Sequence, residues 1–304
     1  MMLDALGREI NYMRISITDR CNLRCAYCMP AKYMKPLRHN DIMRYEEILK
    51  VVKAAVALGI VNFKVTGGEP LQRKGCVGFL RELKNTRGVE SVTLTTNGLL
   101  LEPFLRDISW LDGINISLDS LDAATYKKIT GLDCFSAVWR SFSAAMDIFP
   151  GQIKVNCVPL RGLNESEIPQ IARLPVDVRF IEYMPTGGDC EGLSGAEILA
   201  RLKEAFLDFE AVLQEQVGFG PARYYRSAAF SGRVGIIDAM ENCFCAQCNR
   251  VRLSSEGFLK LCLFHDKGIY LRNCEDLEEA MRLAIFAKPE RYAGGIRHMS
   301  HIGG

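Results

Sequence analysis

The sequence lacks a large net charge, a long apolar run and any low-complexity segment. Its 38 basic and 36 acidic side chains leave a formal net charge of +2 over 304 residues. Proteins that bind nucleic acid through their overall field carry a large basic excess, so general nucleic-acid binding is not expected and any anion recognition must be local. The 48% hydrophobic content is typical of a globular protein with ample core.

Charged residues interrupt every apolar stretch, so no membrane-spanning helix is predicted. Residues 51–58, for example, contain Lys53. Residues 1–10 carry Asp4 and Glu9 and lack the apolar segment of a signal peptide. We therefore expect a cytoplasmic protein whose twelve cysteines are reduced thiols, some of them metal ligands.

Three cysteines, Cys21, Cys25 and Cys28, follow a predicted strand at spacings of four and three residues. Such spacing lets one loop present three thiols to a metal centre. Thiolate ligands select zinc or an iron–sulfur cluster over harder metals. The spacing leaves two alternatives open, a zinc site with a fourth ligand elsewhere and a four-iron cluster with one open iron.

Short β-branched runs alternate with amphipathic stretches over the first 184 residues. The predicted strands are 12–18, 61–65, 91–95, 113–118, 153–158 and 176–181, and the predicted helices are 45–58, 73–84, 103–108, 123–129, 137–149 and 165–173. Asn164 with Glu167, and Ser194 with Glu197, are typical of capping boxes at helix starts. This alternation predicts an α/β fold with a parallel sheet, either open or curled into an incomplete barrel.

Polar and small residues follow three of the predicted strands, where ligand sites collect in parallel barrels. They are Gly67, Gly68 and Glu69 after the second strand, Thr95, Thr96 and Asn97 after the third, and Ser117 at the fourth. Glycine lets a backbone approach a ligand closely, and Glu69 can accept a hydrogen bond from an ammonium group. Ordinary turns and helix caps are the alternative explanation.

Four basic residues, Arg14, Lys64, Lys154 and Arg179, fall inside predicted strands. A cation is costly there unless it meets an anion or faces a cavity. Each one singly is also explained by a solvent-facing or ion-paired side chain. As a group they predict a cage for a polyphosphate, since arginine forks match phosphate oxygens.

A second cysteine group comprises Cys245, Cys248 and Cys262. Three thiols again indicate a cluster with one open iron. Cys243 offers a fourth ligand, so a four-thiolate zinc site remains an alternative.

The first cysteine loop, with Tyr27 before its last cysteine and Gly-Gly-Glu-Pro at 67–70, resembles the radical S-adenosylmethionine (SAM) superfamily. The resemblance implies an incomplete (β/α)6 barrel and a four-iron cluster whose open iron binds SAM. The SAM-binding residues that it implies are Tyr27, Gly67, Gly68, Glu69, Thr96, Asn97, Ser117 and Met184.

Three segments are similar to the radical SAM family that acts on GTP in molybdenum-cofactor biosynthesis. They are the second cysteine group with its Asn-Arg-x-Arg-Leu-Ser-x-x-Gly continuation, residues 179–185 and residues 299–304. This narrower resemblance implies a second four-iron cluster on Cys245, Cys248 and Cys262. It implies a tail, Gly303 and Gly304, that enters the barrel. The GTP contacts that it implies are Arg14, Lys64, Thr95, Lys154, Arg179, Arg250 and Arg252.

The activity implied by this resemblance is that of a lyase in which a deoxyadenosyl radical starts the joining of C3′ to C8 of GTP. The implied partners are GTP as substrate, an external one-electron donor and the downstream cyclic pyranopterin monophosphate synthase, with a homodimer as an open alternative. No catalytic residue is assigned beyond the cofactors. We expect a barrel domain at 1–221 and a C-terminal region at 222–304, with the boundary between about 186 and 222.

Three features depart from the family pattern. Asn62 stands where another basic residue is common and Lys64 where arginine is common, and the segment after Met184 is shorter than usual. These departures affect individual triphosphate contacts and neither cysteine group. A peptide-modifying radical SAM enzyme and a non-catalytic zinc protein are the rival interpretations.

Overall fold

The computed structural model describes residues 1–28, 36–184, 190–212, 219–240 and 244–291. The strands within these ranges are β1 (Tyr12–Ser16), β2 (Asn62–Thr66), β3 (Ser91–Thr96), β4 (Gly113–Ser117), β5 (Gln152–Cys157), β6 (Asp177–Ile181), β7 (Glu210–Ala211), β8 (Arg223–Arg226), β9 (Val234–Ile237), β10 (Arg250–Leu253), β11 (Phe258–Lys260) and β12 (Gly268–Tyr270). The α-helices are α1 (Tyr45–Ala57), α2 (Cys76–Asn85), α3 (Ala123–Thr130), α4 (Phe135–Ile148), α5 (Ile168–Ala172), α6 (Gly195–Ala205) and α7 (Leu277–Phe286). None of these described helices is long and apolar enough to cross a membrane.

All twelve strands belong to one mixed sheet in the order β12-β11-β10-β1-β2-β3-β4-β5-β6-β9-β8-β7. Strands β1 to β6 run parallel in chain order, which confirms the predicted α/β class. Parallel β10 and β9 flank this run, and antiparallel strands extend it at both edges. The incomplete barrel stays a prediction.

The central strands alternate between apolar and polar residues, unlike ordinary parallel strands that are apolar on both faces. Ile15 pairs in register with Val65, which pairs with Leu94, and all three side chains are fully buried. One residue away, Arg14 lies in register with Lys64 on one side and Arg252 on the other. Since neighbouring residues of a strand point to opposite faces, the apolar face packs under helices and the cationic face borders the cavity described below.

Four of the six predicted helices are α-helices with bounds within three residues of prediction, as in α1 and α4. The predicted helix at 103–108 is wrong, because a short 3-10 helix (Glu102–Phe104) and turns occupy that segment. Six residues are too few to nucleate an α-helix without strong packing. The predicted helix at 165–173 divides into a 3-10 turn (Glu165–Glu167) and α5.

One of the two predicted capping boxes is present. Ser194 Oγ accepts a hydrogen bond from the Glu197 amide at 3.3 Å, and the Glu197 carboxylate accepts one from the Ser194 amide at 2.9 Å. Asn164 does not cap a helix. Its buried side chain donates to the carbonyls of Asp119 (2.5 Å) and Val158 (3.0 Å), so it fastens the loops after β4 and β5 together.

Replacing Asn164 with alanine therefore tests the structure against the capping prediction. We expect Asn164→Ala to lower the free energy of unfolding by about 1–3 kcal/mol for each buried carbonyl left unpaired, so the total exceeds the effect of losing a cap. Ser194→Ala is the control and should cost about 1 kcal/mol, as expected for one N-cap. Anaerobic urea unfolding followed by circular dichroism measures both, and equal losses in the two variants would contradict the network.

Candidate active site

A single cavity on the polar face of the sheet receives both cysteine groups and most of the predicted ligand contacts. Among the predicted site residues, its lining includes Cys21, Cys25, Cys28, Cys245, Cys248, Cys262, Tyr27, Gly67, Gly68, Thr95, Thr96, Asn97, Ser117, Met184, Arg14, Lys64, Arg179, Arg250 and Arg252. These residues come from strand ends across the whole parallel run and from the hairpin of β10 and β11. The fold therefore gathers the residues that the sequence motifs single out.

The first cysteine loop is fixed to the turn after β2 by its backbone. The amide of Gly68 donates to the Thr18 carbonyl at 2.7 Å, and the amide of Glu69 donates to the Arg20 carbonyl at 2.8 Å. A Cβ atom on Gly67 would lie 2.7 Å from the Thr18 oxygen, and one on Gly68 would overlap the Arg20 carbonyl. The two glycines are thus required by the close approach of the cysteine loop.

Glu69 joins the loops that follow β2 and β3. Its carboxylate accepts hydrogen bonds from the amides of Leu71 (3.0 Å) and Asn97 (2.7 Å) and from Thr96 Oγ1 (2.9 Å). Burial raises the pKa of Glu69 to about 7. Among the described residues Glu69 does not belong to the cavity lining, so its role as a SAM contact stays a prediction.

The three thiols of the first loop lie close enough to influence one another. Burial, followed by the nearby Cys21 and Asp119, raises the pKa of Cys28 to about 12. Within the described ranges, no three histidine, cysteine, aspartate or glutamate side chains converge as ligands of a single metal ion. A four-iron cluster is compatible with this arrangement, because each cysteine binds a different iron and the three thiols need not converge on one metal ion.

Half-buried Tyr27 and buried Asp119 form a hydrogen-bonded pair beside this loop. The Tyr27 hydroxyl donates to Asp119 Oδ2 at 2.8 Å, and the Val158 amide donates to Oδ1 at 2.9 Å. Burial raises the pKa of Asp119 to about 6. The pair connects the cysteine loop to the ends of β4 and β5, so it sets the distance between the thiols and the strand ends.

The cations of β1, β2 and β10 face one another without an intervening carboxylate in register. Burial, with smaller contributions from the charges of Arg250 and Arg179, lowers the pKa of Arg14 to about 10. The pKa of Lys64 is also lowered well below its usual range, by burial and then by Arg179 and Arg14. Their charges repel one another, so binding an anion between them relieves a cost that the fold otherwise carries.

Two asparagines that the sequence analysis did not select orient Arg179. Asn156 Oδ1 accepts a hydrogen bond from Arg179 Nε at 2.9 Å, and Asn115 Oδ1 accepts one from Nη2. Both lie on the cavity-facing side of their strands, in register with cationic neighbours. The signal available in the sequence was their spacing, since each lies two residues from another polar position of its strand.

Lys154 lies in an adjoining cavity that shares Tyr12, Lys64 and Arg179 with the main cavity. Its ammonium donates to the Tyr224 hydroxyl at 3.5 Å. Burial and then the charge of Arg179 lower the pKa of Lys154 to about 8. Lys154 is therefore set apart from the cysteine groups, beyond the layer of Lys64 and Arg179.

Thr95 contributes a hydroxyl to the main cavity. Its Oγ1 atom is buried and has no hydrogen-bond partner among the described residues. A buried hydroxyl of this kind needs a partner, which a ligand can supply. Asn97, in contrast, is already engaged, because its Nδ2 atom donates to Asn22 Oδ1 at 2.7 Å and lies 3.7 Å from the sulfur of Cys21.

The β10–β11 hairpin brings the second cysteine group together. Cys248 precedes β10 and Cys262 follows β11, and the strands are antiparallel, so both cysteines lie at the open end of the hairpin. Burial opposes ionisation of Cys248, yet the charges of Lys288 and Arg250 with hydrogen bonds from Arg250 lower its pKa to about 7. The surroundings of this thiol are thus cationic, whereas in the first group burial dominates and raises the pKa of Cys21 and Cys28.

The remaining predicted site residues, Cys243, Gly303 and Gly304, lie outside the described residues. The four-thiolate zinc alternative and the tail within the barrel therefore stay predictions.

Comparison with family models divides the chain into two matches. Residues 15–174 match the radical SAM superfamily, and residues 176–294 match a family described as Molybdenum Cofactor Synthesis C. The sequence boundary predicted between about 186 and 222 stays a prediction.

Solved structures similar to this chain include radical SAM proteins with bound SAM. SuiB of Streptococcus suis bound to S-adenosylmethionine has a TM-score of 0.63 at 15% identity, covering 89% of this chain and 65% of SuiB. The protein anSMEcpe with bound AdoMet has a TM-score of 0.62 at 18% identity, covering 92% of this chain and 78% of the other. At these identities the similarity is one of fold.

Curated relatives are much closer in sequence. The GTP 3′,8-cyclase of Geobacter sulfurreducens is 42% identical over 96% of this chain and 94% of its own length. Those of Petrotoga mobilis and Desulforamulus reducens are each 38% identical over the full length of both chains. Together with the superfamily match over the cysteine loop, these identities mean that the chain belongs to the GTP 3′,8-cyclase family of the radical SAM superfamily.

Proposed function

We propose that this chain is a lyase that converts GTP to (8S)-3′,8-cyclo-7,8-dihydroguanosine 5′-triphosphate, the first step of molybdenum-cofactor biosynthesis. The observation that carries the proposal is the convergence of both cysteine groups and a set of buried and half-buried cations on one cavity. Membership of the superfamily implies one four-iron cluster and SAM. The substrate and the second cluster are proposed from the similarity to GTP 3′,8-cyclases and from the residues described below.

Cys21, Cys25 and Cys28 are the residues that hold the first cluster in this proposal. When bound, the cluster and SAM would supply, with one electron from an external donor, the radical chemistry that starts the joining of C3′ to C8 of GTP. The chain's part is to position the reactants. Gly67 and Gly68 seat the cysteine loop, and Ser117, Thr96 and Asn97 border the same end of the cavity.

The cations hold the triphosphate in this proposal. Arg14, Lys64 and Arg252 lie side by side in register, so their charges form one continuous positive surface. Arg179, fixed by its two asparagines, presents a preoriented guanidinium to the same space. Preorganised donors lose little entropy on binding, and a polyanion replaces the repulsion between the cations with charge-assisted hydrogen bonds.

Cys245, Cys248 and Cys262 hold the second cluster in this proposal, near the guanine base. The cationic surroundings of Cys248 support it, because thiolate is the ligand form. Arg250 follows Cys248 closely and lines the cavity, which suits a residue lying between base and phosphates. The proposal also includes the Gly-Gly tail within the barrel and a homodimer. Its partners are an external one-electron donor and the downstream cyclic pyranopterin monophosphate synthase.

The decisive assay is anaerobic turnover of reconstituted protein with SAM, a strong reductant and GTP. We expect 5′-deoxyadenosine and a cyclised isomer of GTP to form together, measured by mass spectrometry. Deoxyadenosine without any change in GTP would retain the superfamily and refute the substrate, and a peptide substrate would then be sought. Formation of neither product by protein with verified iron would refute the catalytic proposal.

Removing a cation from the cage should weaken GTP use while sparing the cofactors. We expect Lys154→Ala and Arg252→Ala each to lower kcat/KM for GTP by about tenfold to a hundredfold, since one charge-assisted contact contributes about 1.5–3 kcal/mol. Iron content should be unchanged. Lys127→Ala, which breaks an exposed ion pair with Asp133, is the control and should leave kcat/KM at the wild-type value. Wild-type kinetics in both cage variants would rule out the phosphate cage.

The lowered pKa of Lys154 predicts a pH dependence. Burial favours the neutral amine, so the charged form that pairs with phosphate is lost as pH rises through about 8. We expect kcat/KM for GTP, which reports the free enzyme, to fall through this range and to level off about tenfold lower. Lys154→Arg keeps its charge and should remove this decline. An identical decline in the arginine variant would assign the titration to another group.

A further inference from the structure

Lys288 is a buried lysine that no motif selected. It follows α7 and is only 5% exposed. Its ammonium donates hydrogen bonds to the carbonyl of Arg250 at 3.0 Å and to the carbonyl of Leu261. Burial lowers the pKa of Lys288, and the neighbouring Cys248 and Cys262 raise it, so the ammonium lies in the interior directly beside two of the second-group cysteines.

The two carbonyls that Lys288 binds belong to the segments that carry the second cysteine group. Arg250 lies two residues after Cys248, and Leu261 directly precedes Cys262. One ammonium therefore joins both sides of the open end of the β10–β11 hairpin. Besides burial, the charge of Lys288 is the largest influence on the pKa of Cys248, which confirms that the two groups are close.

Arg8 connects the third cysteine to the same lysine segment. Its Nη1 atom donates to the Cys245 carbonyl at 2.8 Å, and its Nη2 atom donates to the carbonyls of Pro289 (2.9 Å) and Lys288 (3.3 Å). The Asp4 carboxylate fixes the guanidinium at 2.5 Å from Nε, and both side chains are buried. The N-terminal segment thus fastens the Lys288 segment to the turn that carries Cys245.

We propose that Lys288, held in place by Arg8, is a positioning residue that fixes the three second-group cysteines and whose charge makes the cluster there easier to reduce. This inference rests on the second cluster of the proposed function. The charge of a cluster becomes more negative when it gains an electron. A fixed cation beside its ligands therefore stabilises the reduced form, and hydrogen bonding around the ligands has a similar influence on clusters in general.

Three substitutions separate position from charge. Lys288→Arg keeps the charge, Lys288→Gln keeps a hydrogen-bond donor without the charge, and Lys288→Met keeps only the chain length. The measurements are iron per chain and the reduced fraction of each cluster at a fixed potential, followed by electron paramagnetic resonance on the anaerobically reconstituted full chain. Lys84→Met, which removes a distant surface ion pair with Asp112, is the matched control.

We expect Lys288→Gln to bind as much iron as the wild type but to show about a tenfold lower ratio of reduced to oxidised second cluster, equal to about 59 mV for a one-electron couple. Lys288→Arg should return towards the wild-type ratio, and the first cluster should be unchanged throughout. Loss of second-site iron in Lys288→Met but not in Lys288→Gln supports the positioning role. Wild-type iron and wild-type ratios in both neutral variants would overturn the inference.

Failure of the underlying proposal would look different. If the wild-type protein binds iron for only one cluster, or zinc at Cys245, Cys248 and Cys262, the second cluster itself is refuted before any variant is compared. If the wild type binds both clusters and the neutral variants behave as it does, only the role of Lys288 is refuted.

Discussion

Parallel pairing of β1 with β2 on one side and β10 on the other is the constraint on which the site depends. The first cysteine loop leaves the end of β1, and the second cysteine group flanks the β10–β11 hairpin. Because β10 runs parallel to β1, the two groups lie at opposite ends of this strand pair, and both line the same cavity. The pairing also places Arg14 between Lys64 and Arg252, so the anion site and the two cysteine sites are fixed by the same hydrogen bonds.

The alternation of side chains along each strand gives the two faces of the sheet different roles. The apolar face, represented by Ile15, Val65 and Leu94, is fully buried and supplies the stabilising burial. The polar face contains cations that lower stability on their own account, because burial and mutual repulsion disfavour their charged forms. Such conflict between local cost and global fold is typical of functional sites.

Short-range signals in the sequence predicted the six parallel strands, the cysteine groups and the cations, because periodicity and motif spacing are local properties. Long-range contacts were not predictable in this way. The residues around Asn164 do not distinguish a helix cap from a side chain that joins two loops. The sequence near Lys288 and Arg8 likewise does not indicate which carbonyls they bind. Asn115 and Asn156 lie between these cases. Their strands were predicted, and so was Arg179 as a site residue, but the hydrogen bonds that join the two asparagines to Arg179 were not.

The β1–β10 pairing has a consequence for biosynthesis of the chain. During translation β1 and the first cysteine loop emerge early, while their second neighbour, β10, emerges only after most of the chain has been made. Until then one edge of β1 is unpaired and open to wrong partners, and contacts of such high sequence separation form slowly. Arg8 likewise meets the last of its carbonyl partners only after Glu290 has been synthesised. The cavity therefore gains its second cysteine wall only after residues 245–262 have been synthesised, long after the first cysteine loop.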